Sequence, residues 1–257
     1  MILVLAGTLD GRQLAAELAG QGQEVLLSVV SEYGGELARD SRLTVRVGPL
    51  DLVGLVALMK QKEVKVVVDA SHPYAVNASQ NAMLACRDES IPYIRYERPV
   101  VPLPVYDRLY EVCDASEAAT TAARLGNVVF LTTGSRSLPI FKSEPLLVNK
   151  RLIVRVLPEP AVLQECLDLG FLPRDIIAMQ GPFSHELNVA MFQDFQTEVV
   201  VTKNSGQVGG SDTKISAAMA LRLPLVIIGR PKMDYGIASY SQPEIITLVK
   251  EALSCNI

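Results

Sequence analysis

The chain has 257 residues, 49% of them hydrophobic, and its 24 lysines and arginines against 28 aspartates and glutamates give a net charge of −4. That length can bury one large or two smaller cores, and without a basic excess the chain is not expected to bind nucleic acid, so any anionic ligand has to be met by local cations. Four scattered cysteines (Cys86, Cys113, Cys166, Cys255), only two histidines, a short apolar start and no long apolar run point to a cytoplasmic protein with reduced thiols, no metal site, no signal peptide and no membrane span.

In chain order, strands are expected over residues 2–6, 24–29, 43–47, 64–69 and 93–96, with helices over 11–20, 35–39, 50–60 and 75–89. Continuous apolar runs such as Val64-Lys65-Val66-Val67-Val68 suit a parallel sheet covered on both faces. Their alternation with helices implies right-handed βαβ units. The first strand runs into Ala6-Gly7-Thr8-Leu9-Asp10-Gly11-Arg12, a turn with two glycines, a hydroxyl and an arginine at a helix start. Such a turn suits phosphate, although it matches neither the dinucleotide G-x-G-x-x-G pattern nor the P-loop. The second strand ends Leu27-Ser28-Val29-Val30-Ser31, without the acidic residue that holds the ribose of NAD, which leans toward NADPH. The fourth ends Val68-Asp69-Ala70-Ser71-His72-Pro73-Tyr74-Ala75, where Pro73 keeps His72 extended and sets an imidazole and a phenol at the strand's carboxyl end. A capped turn served by Asn77 or Ser79 explains the same loop without chemistry.

Residues 98–107 carry Pro99, Pro102 and Pro104 and read as a stiff linker, giving domains 1–100 and 101–257. The plan then repeats, with strands over 128–131, 152–156, 176–179, 199–202 and 225–228 and helices over 116–125, 161–169, 186–194 and 213–221. A last helix over 243–254 opens on Pro243 and is free to dock on either domain. Both halves end in Arg-Pro, at Arg98-Pro99 and Arg230-Pro231. The fold class is therefore α/β, two Rossmann-like domains, each with a roughly five-stranded parallel sheet flanked by helices. Ligands of such sheets sit beyond the carboxyl ends of the strands, and the expected active site is the interdomain cleft.

The second half carries its own polar loops. Leu131-Thr132-Thr133-Gly134-Ser135-Arg136 is no nucleophile elbow. In Met179-Gln180-Gly181-Pro182-Phe183-Ser184-His185-Glu186, Gln180 and Ser184 are candidate ligand contacts, with helix capping as the other role for Ser184. The run from Val199 to Lys214 is the most informative: a buried strand, then Lys203, Ser205, Gly206, Gly209 and Gly210, then a helix near Thr213 that includes Lys214. Glycine turns, a helix N-terminus and two lysines together suit phosphate or carboxylate.

Taken together, Leu5-Ala6-Gly7-Thr8-x-x-Gly11-Arg12, the segment from Asp69 to Ala75, Tyr93-x-Arg95-Tyr96-Glu97-Arg98-Pro99, Thr132-Thr133-Gly134-Ser135, Arg155-Val156-Leu157-Pro158, Gln180-Gly181-Pro182-Phe183-Ser184, Thr202-Lys203-x-Ser205-Gly206-x-x-Gly209-Gly210-x-x-x-Lys214 and Arg230-Pro231 resemble the precorrin-6A reductase family of cobalamin biosynthesis, cobalt-precorrin-6A reductases included. The resemblance covers nearly the whole chain; Ser71 stands where threonine is expected and keeps the hydroxyl. It implies reduction of a ring-D double bond of a tetrapyrrole by hydride from NADPH, or NADH, with neither flavin nor metal. On that reading His72 and Tyr74 are candidate general acids. NADPH contacts Gly7, Thr8, Gly11 and Arg12 together with Thr133, Gly134, Ser135, Lys203, Ser205, Gly206, Gly209, Gly210 and Lys214. The tetrapyrrole touches Ser71, His72, Tyr74, Arg95, Arg98, Gln180 and Ser184; exchange of these two sets is the open alternative. The expected state is a monomer or small homo-oligomer. Two readings from other classes remain, a two-domain binding protein for an anionic small molecule and a nucleotide-sugar transferase.

Overall fold

A computed structural model describes residues 1–206 and 209–254. Gln207 and Val208 of the glycine-rich loop, and the expected thiol Cys255, lie outside the described residues. The chain forms two compact units, one of Met1–Pro99 together with Pro231 and the described residues after it, the other Val100–Arg230.

The first unit holds strands β1 (Ile2–Leu5), β2 (Val25–Val29), β3 (Thr44–Val47), β4 (Val66–Asp69) and β5 (Tyr93–Tyr96) and helices α1 (Leu9–Gly20), α2 (Glu32–Leu37), α3 (Leu52–Gln61) and α4 (Val76–Asp88). All strands are parallel, with Leu3 opposite both Leu26 and Val67. Leu3, Leu26 and Val67 pack on one face with Leu55, Met59 and Ala82. Val4, Leu27 and Val68 pack on the other with Leu14 and Leu18 of α1. Burial on both faces is why these strands read as unbroken apolar runs. From β1 the chain winds outward through β2 to β3, then resumes beside β1 with β4 and β5. The switch point lies between the carboxyl ends of β1 and β4, where ligands of doubly wound sheets bind. Gly11 is set by packing there: a Cβ would lie 2.7 Å from Ala6 Cβ and 2.9 Å from the Ala70 carbonyl oxygen. Only glycine lets α1 come this close to the two strand ends.

The second unit contains β6 (Leu109–Val112), α5 (Ala115–Leu125), β7 (Val128–Leu131), α6 (Leu138–Ser143), β8 (Arg151–Val156), α7 (Pro160–Asp168), β9 (Ile176–Ala178), α8 (His185–Asp194), β10 (Val199–Lys203), α9 (Ser211–Ala220) and β11 (Leu225–Ile228). Its sheet order is β6-β11-β10-β7-β8-β9, again all parallel, with the switch point between β7 and β10. Val101, Leu103 and Tyr106, expected in the linker, pack against the core of this unit.

Roughly five strands per sheet were expected and six are found, and the second compact unit ends at Arg230. Each sheet has six strands. After Pro231 the chain returns to the first unit, where β12 (Ala238–Ser239) pairs with β5 and α10 (Gln242–Ser254) buries Ile245, Ile246 and Val249 in the first core. Residues 109–112, just past the linker, supply the sixth strand of the other sheet beside β11.

Gly11→Ala tests the close approach of α1. Helix propensity alone would stabilise by about 1 kcal/mol, but contact with a backbone carbonyl leaves little room to relax and overpacking costs about 1–3 kcal/mol. The urea midpoint should fall at constant m-value; a raised midpoint would show that the helix stands off the strands.

Candidate functional site

At the first switch point, α1 begins after Thr8, an extended N-cap residue whose side chain makes no capping bond. Its hydroxyl instead reaches the Ala70 carbonyl at 3.5 Å. Gly7 is exposed, and a Cβ on it would meet nothing within 4 Å. The turn thus presents a helix start without a side-chain cap beside open space, which fits an anionic ligand. Arg12 is half-buried, and burial lowers its pKa against the pull of Asp10 and Tyr33.

The loop after β4 rests on one buried carboxylate. Asp69 accepts bonds from the Ser71 amide (2.9 Å), Ser79 Oγ (2.5 Å), Tyr93 Oη (2.7 Å) and Arg95 Nη1 (2.9 Å). Burial alone would raise its pKa, yet Arg95 and these donors hold it below the usual carboxylate value. Arg95 Nη1 also donates to Ser71 Oγ (3.1 Å) and Nε to Glu97 (3.0 Å), and the guanidinium lies 4.9 Å from the Tyr235 ring centre. On this support stand His72 and Tyr74, both half-buried, with ring centres 5.6 Å apart. The Tyr74 amide donates to His72 Nδ1 at 3.3 Å. Nδ1 is then an acceptor, and the proton of the neutral ring sits on Nε2.

The second unit gathers cations instead. Lys203 ends β10 and donates to the Thr133 carbonyl at 2.8 Å. Burial, with Arg136 beside it, pushes its amine down to about 8. Lys214, in the first turn of α9, is 7% exposed, and burial followed by repulsion from Arg155 pushes its amine down to about 7. Arg155 on β8 is 6% exposed, and burial lowers it to about 10. It donates to Asn188 Oδ1 at 2.8 Å and lies 4.1 Å from the Phe183 ring centre. Among the described residues neither Arg155 nor Lys214 has a carboxylate within ion-pair distance. Buried cations without counter-charge are costly unless a ligand supplies it.

The remaining expected residues divide. Arg95 and Arg98, read as substrate contacts, are buried inside the first unit. Arg98 grips Asp10 with two bonds, 2.5 and 2.7 Å, and Arg95 serves Asp69 and Glu97. Their charges are already matched, so they hold loops in place. Gly11 is a packing residue. Gly134 stands at φ 77°, Ser135 opens a single 3-10 turn, and buried Thr133 accepts from Ser137 Oγ at 2.8 Å. Gly206 and Gly210 take left-handed φ values of 83° and 64°, Gly209 is half-buried, and the buried Ser205 amide donates to Ser211 Oγ. Ser184 accepts from the Leu187 amide and so caps α8, while Gln180 is exposed. Phe183 carbonyl, which accepts from Thr213 Oγ1 at 2.8 Å, ties that loop to α9. Sequence reading assigned no role to Arg155, Asn188 or Asp69; the signal for Arg155 was a charge inside the apolar strand Leu152-Ile153-Val154-Arg155-Val156. Among the described residues no group of three or more His, Cys, Asp or Glu is placed to hold a metal ion, and no helix is long and apolar enough to cross a membrane.

Lysines whose folded pKa is depressed leave the folded state with fewer bound protons than the unfolded one between about 7 and the ordinary 10.5. Their penalty is full below pH 7 and is relieved as pH rises, so the unliganded protein should gain stability from pH 7 to 9. Lys214→Met should raise stability at pH 7 and flatten that slope in urea melts; a slope unchanged by the substitution would show Lys214 to be ordinarily solvated.

The family profile described as precorrin-6x reductase CbiJ/CobK matches residues 1–255. The cobalt-precorrin-6A reductase of Priestia megaterium is 39% identical over 247 residues, covering 96% of each chain. That of Salmonella typhimurium is 37% identical over 231 residues, 90% of this chain and 87% of the relative. The precorrin-6A reductase of Rhodobacter capsulatus is 31% identical over 235 residues, 90% and 88%. A solved structure of CobK precorrin-6A reductase superposes with a TM-score of 0.78 at 27% identity, covering 98% of this chain and 96% of its own. On sequence and fold alike, this chain belongs to the precorrin-6x reductase CbiJ/CobK family.

Proposed function

We propose that the chain is an oxidoreductase of cobalamin biosynthesis that reduces a ring-D double bond of precorrin-6A, with or without cobalt, using NADPH or NADH. Family membership supports a reductase of this pathway. The observation that carries the reading is the pair of buried cations in the second unit, Arg155 and Lys214, neither with a carboxylate at ion-pair distance among the described residues, and with Lys203 near Lys214. A tetrapyrrole bearing acetate and propionate arms, together with a dinucleotide, supplies the anionic groups that such a cluster lacks.

The residues at the first switch point fit a nicotinamide dinucleotide: an open Gly7, a helix start without a side-chain cap at Thr8, and the half-buried Arg12. When bound, that cofactor supplies the hydride which, with one proton, saturates the double bond. The chain's part is to bind, orient and move the proton. Lys203, Lys214 and Arg155 meet carboxylates of the substrate or phosphates of the cofactor, the two sources sharing one chemistry. In the neutral ring Nδ1 accepts from the Tyr74 amide; as an imidazolium, with that bond released, His72 is the candidate donor of one proton to the macrocycle and returns to the neutral form. Tyr74 packs beside it. Asp69 and Arg95, fully buried, keep the loop in register and touch no ligand.

Loss of NADPH absorbance on adding precorrin-6A tests the reading. Binding of either ligand without oxidation would favour a binding protein, and release of a nucleoside diphosphate would favour a transferase. His72→Ala should lower turnover by about 10²- to 10⁴-fold, with affinities little changed; equal turnover at every pH would dismiss His72 as the acid.

A further inference from the structure

The mechanism above leaves Asn204 unused, although it is only 8% exposed and lies between Lys203 and Ser205. Its side-chain amide pairs with the backbone of Val101 as a neighbouring strand would: Oδ1 accepts from the Val101 amide (3.2 Å) and Nδ2 donates to the Val101 carbonyl (2.8 Å). Its own carbonyl accepts from Arg230 Nε at 2.8 Å. Val101 lies just after the chain enters the second unit and Arg230 just before it leaves. One residue therefore fastens the start of the loop to both crossings. Its neighbours are fixed as well, since Lys203 donates to the Thr133 carbonyl and the Lys203 carbonyl accepts from the Ser205 amide and Ser211 Oγ.

We propose that Asn204 is a positioning residue for anion binding, holding Lys203 and the amides of Ser205 and Gly206 in place by clasping the two crossing segments. A side chain that pairs with a backbone amide on both donor and acceptor sides is geometrically demanding, and aspartate or serine cannot reproduce it. Releasing it leaves the loop to be ordered at the moment of binding, at the expense of affinity. The chemical step itself does not involve it. The inference rests on the reading of this loop as an anion site, so its test needs one arm that is free of any ligand.

The ligand-free arm is amide hydrogen exchange of the whole chain. In Asn204→Ala, the amides of Val101 and Ser205 should exchange at least about tenfold faster than in the wild type, while those of β1 stay as they were. The ligand arm measures dissociation constants for NADPH and for precorrin-6A separately. One of them should rise roughly tenfold, with turnover at saturation within about twofold of the wild type. Asn204→Asp, which keeps the acceptor for Val101, should show a smaller loss and serves if the alanine variant does not fold. Unchanged Ser205 exchange, unchanged affinity for both ligands, or a loss confined to saturated turnover would overturn the proposal. A wild-type protein that bound neither ligand would defeat the functional reading, and the exchange arm alone would then decide the clasp.

Discussion

Arg155 and Lys214 sit almost out of water and repel one another, and among the described residues neither has a carboxylate at ion-pair distance, Asp212 offsetting the Lys214 charge only in part. The rest of the molecule shows how differently this chain treats a charge kept for structure. In the first unit Asp69 meets Arg95, and Asp10 meets Arg98 through two short bonds. Those pairs are satisfied, and removing one partner would strand the other. The same sequence that pairs its charges closely beneath one sheet end leaves Arg155 and Lys214 without a close carboxylate beneath the other. Such an imbalance supports the proposed binding site, where a ligand's anionic groups would restore the balance.

Both units use one winding plan to place these groups. Each sheet turns back on itself at a switch point, β1 with β4 and β7 with β10, and each switch point receives a polar loop from either strand. The sixth, edge position of each sheet is filled by a strand from beside a crossing, β12 in the first unit and β6 in the second. The Arg-Pro that follows β5 and the one that follows β11 then play parallel parts. Arg98 reaches back to the first turn of α1 and Arg230 to the loop after β10, so each unit ties its crossing to a loop at its own switch point.

Of the twelve strands among the described residues, ten were legible because their residues are mostly apolar, β-branched or aromatic. The other two were not. β6 reads Leu109-Tyr110-Glu111-Val112 with Tyr110 and Glu111 exposed, and β12 is two residues long. Short, polar edge strands leave little periodicity to detect. The loops at the switch points were read as suited to anions from their glycine, hydroxyl and lysine content. What stayed hidden was partnership across distance. Arg95 and Arg98 read as substrate contacts at a strand end, because their acids lie at Asp69 and Asp10, far away in sequence. Arg155 was visible as a charge in an apolar strand, yet nothing nearby in sequence said that no acid would meet it. Gly11 looked like part of a phosphate turn, whereas the approach of α1 to Ala6 and Ala70 accounts for it.

The most direct test of the central claim is the proton balance of binding, measured at pH 8 by calorimetric titration of NADPH and of precorrin-6A in two buffers of different ionisation enthalpy. With Lys203 lowered to about 8 and Lys214 to about 7, much of each amine is neutral there. An anion arriving beside them should draw protons onto both, so the account predicts net proton uptake for the ligand that fills the cluster, reduced in Lys214→Met. Binding of both ligands with no proton uptake would contradict it.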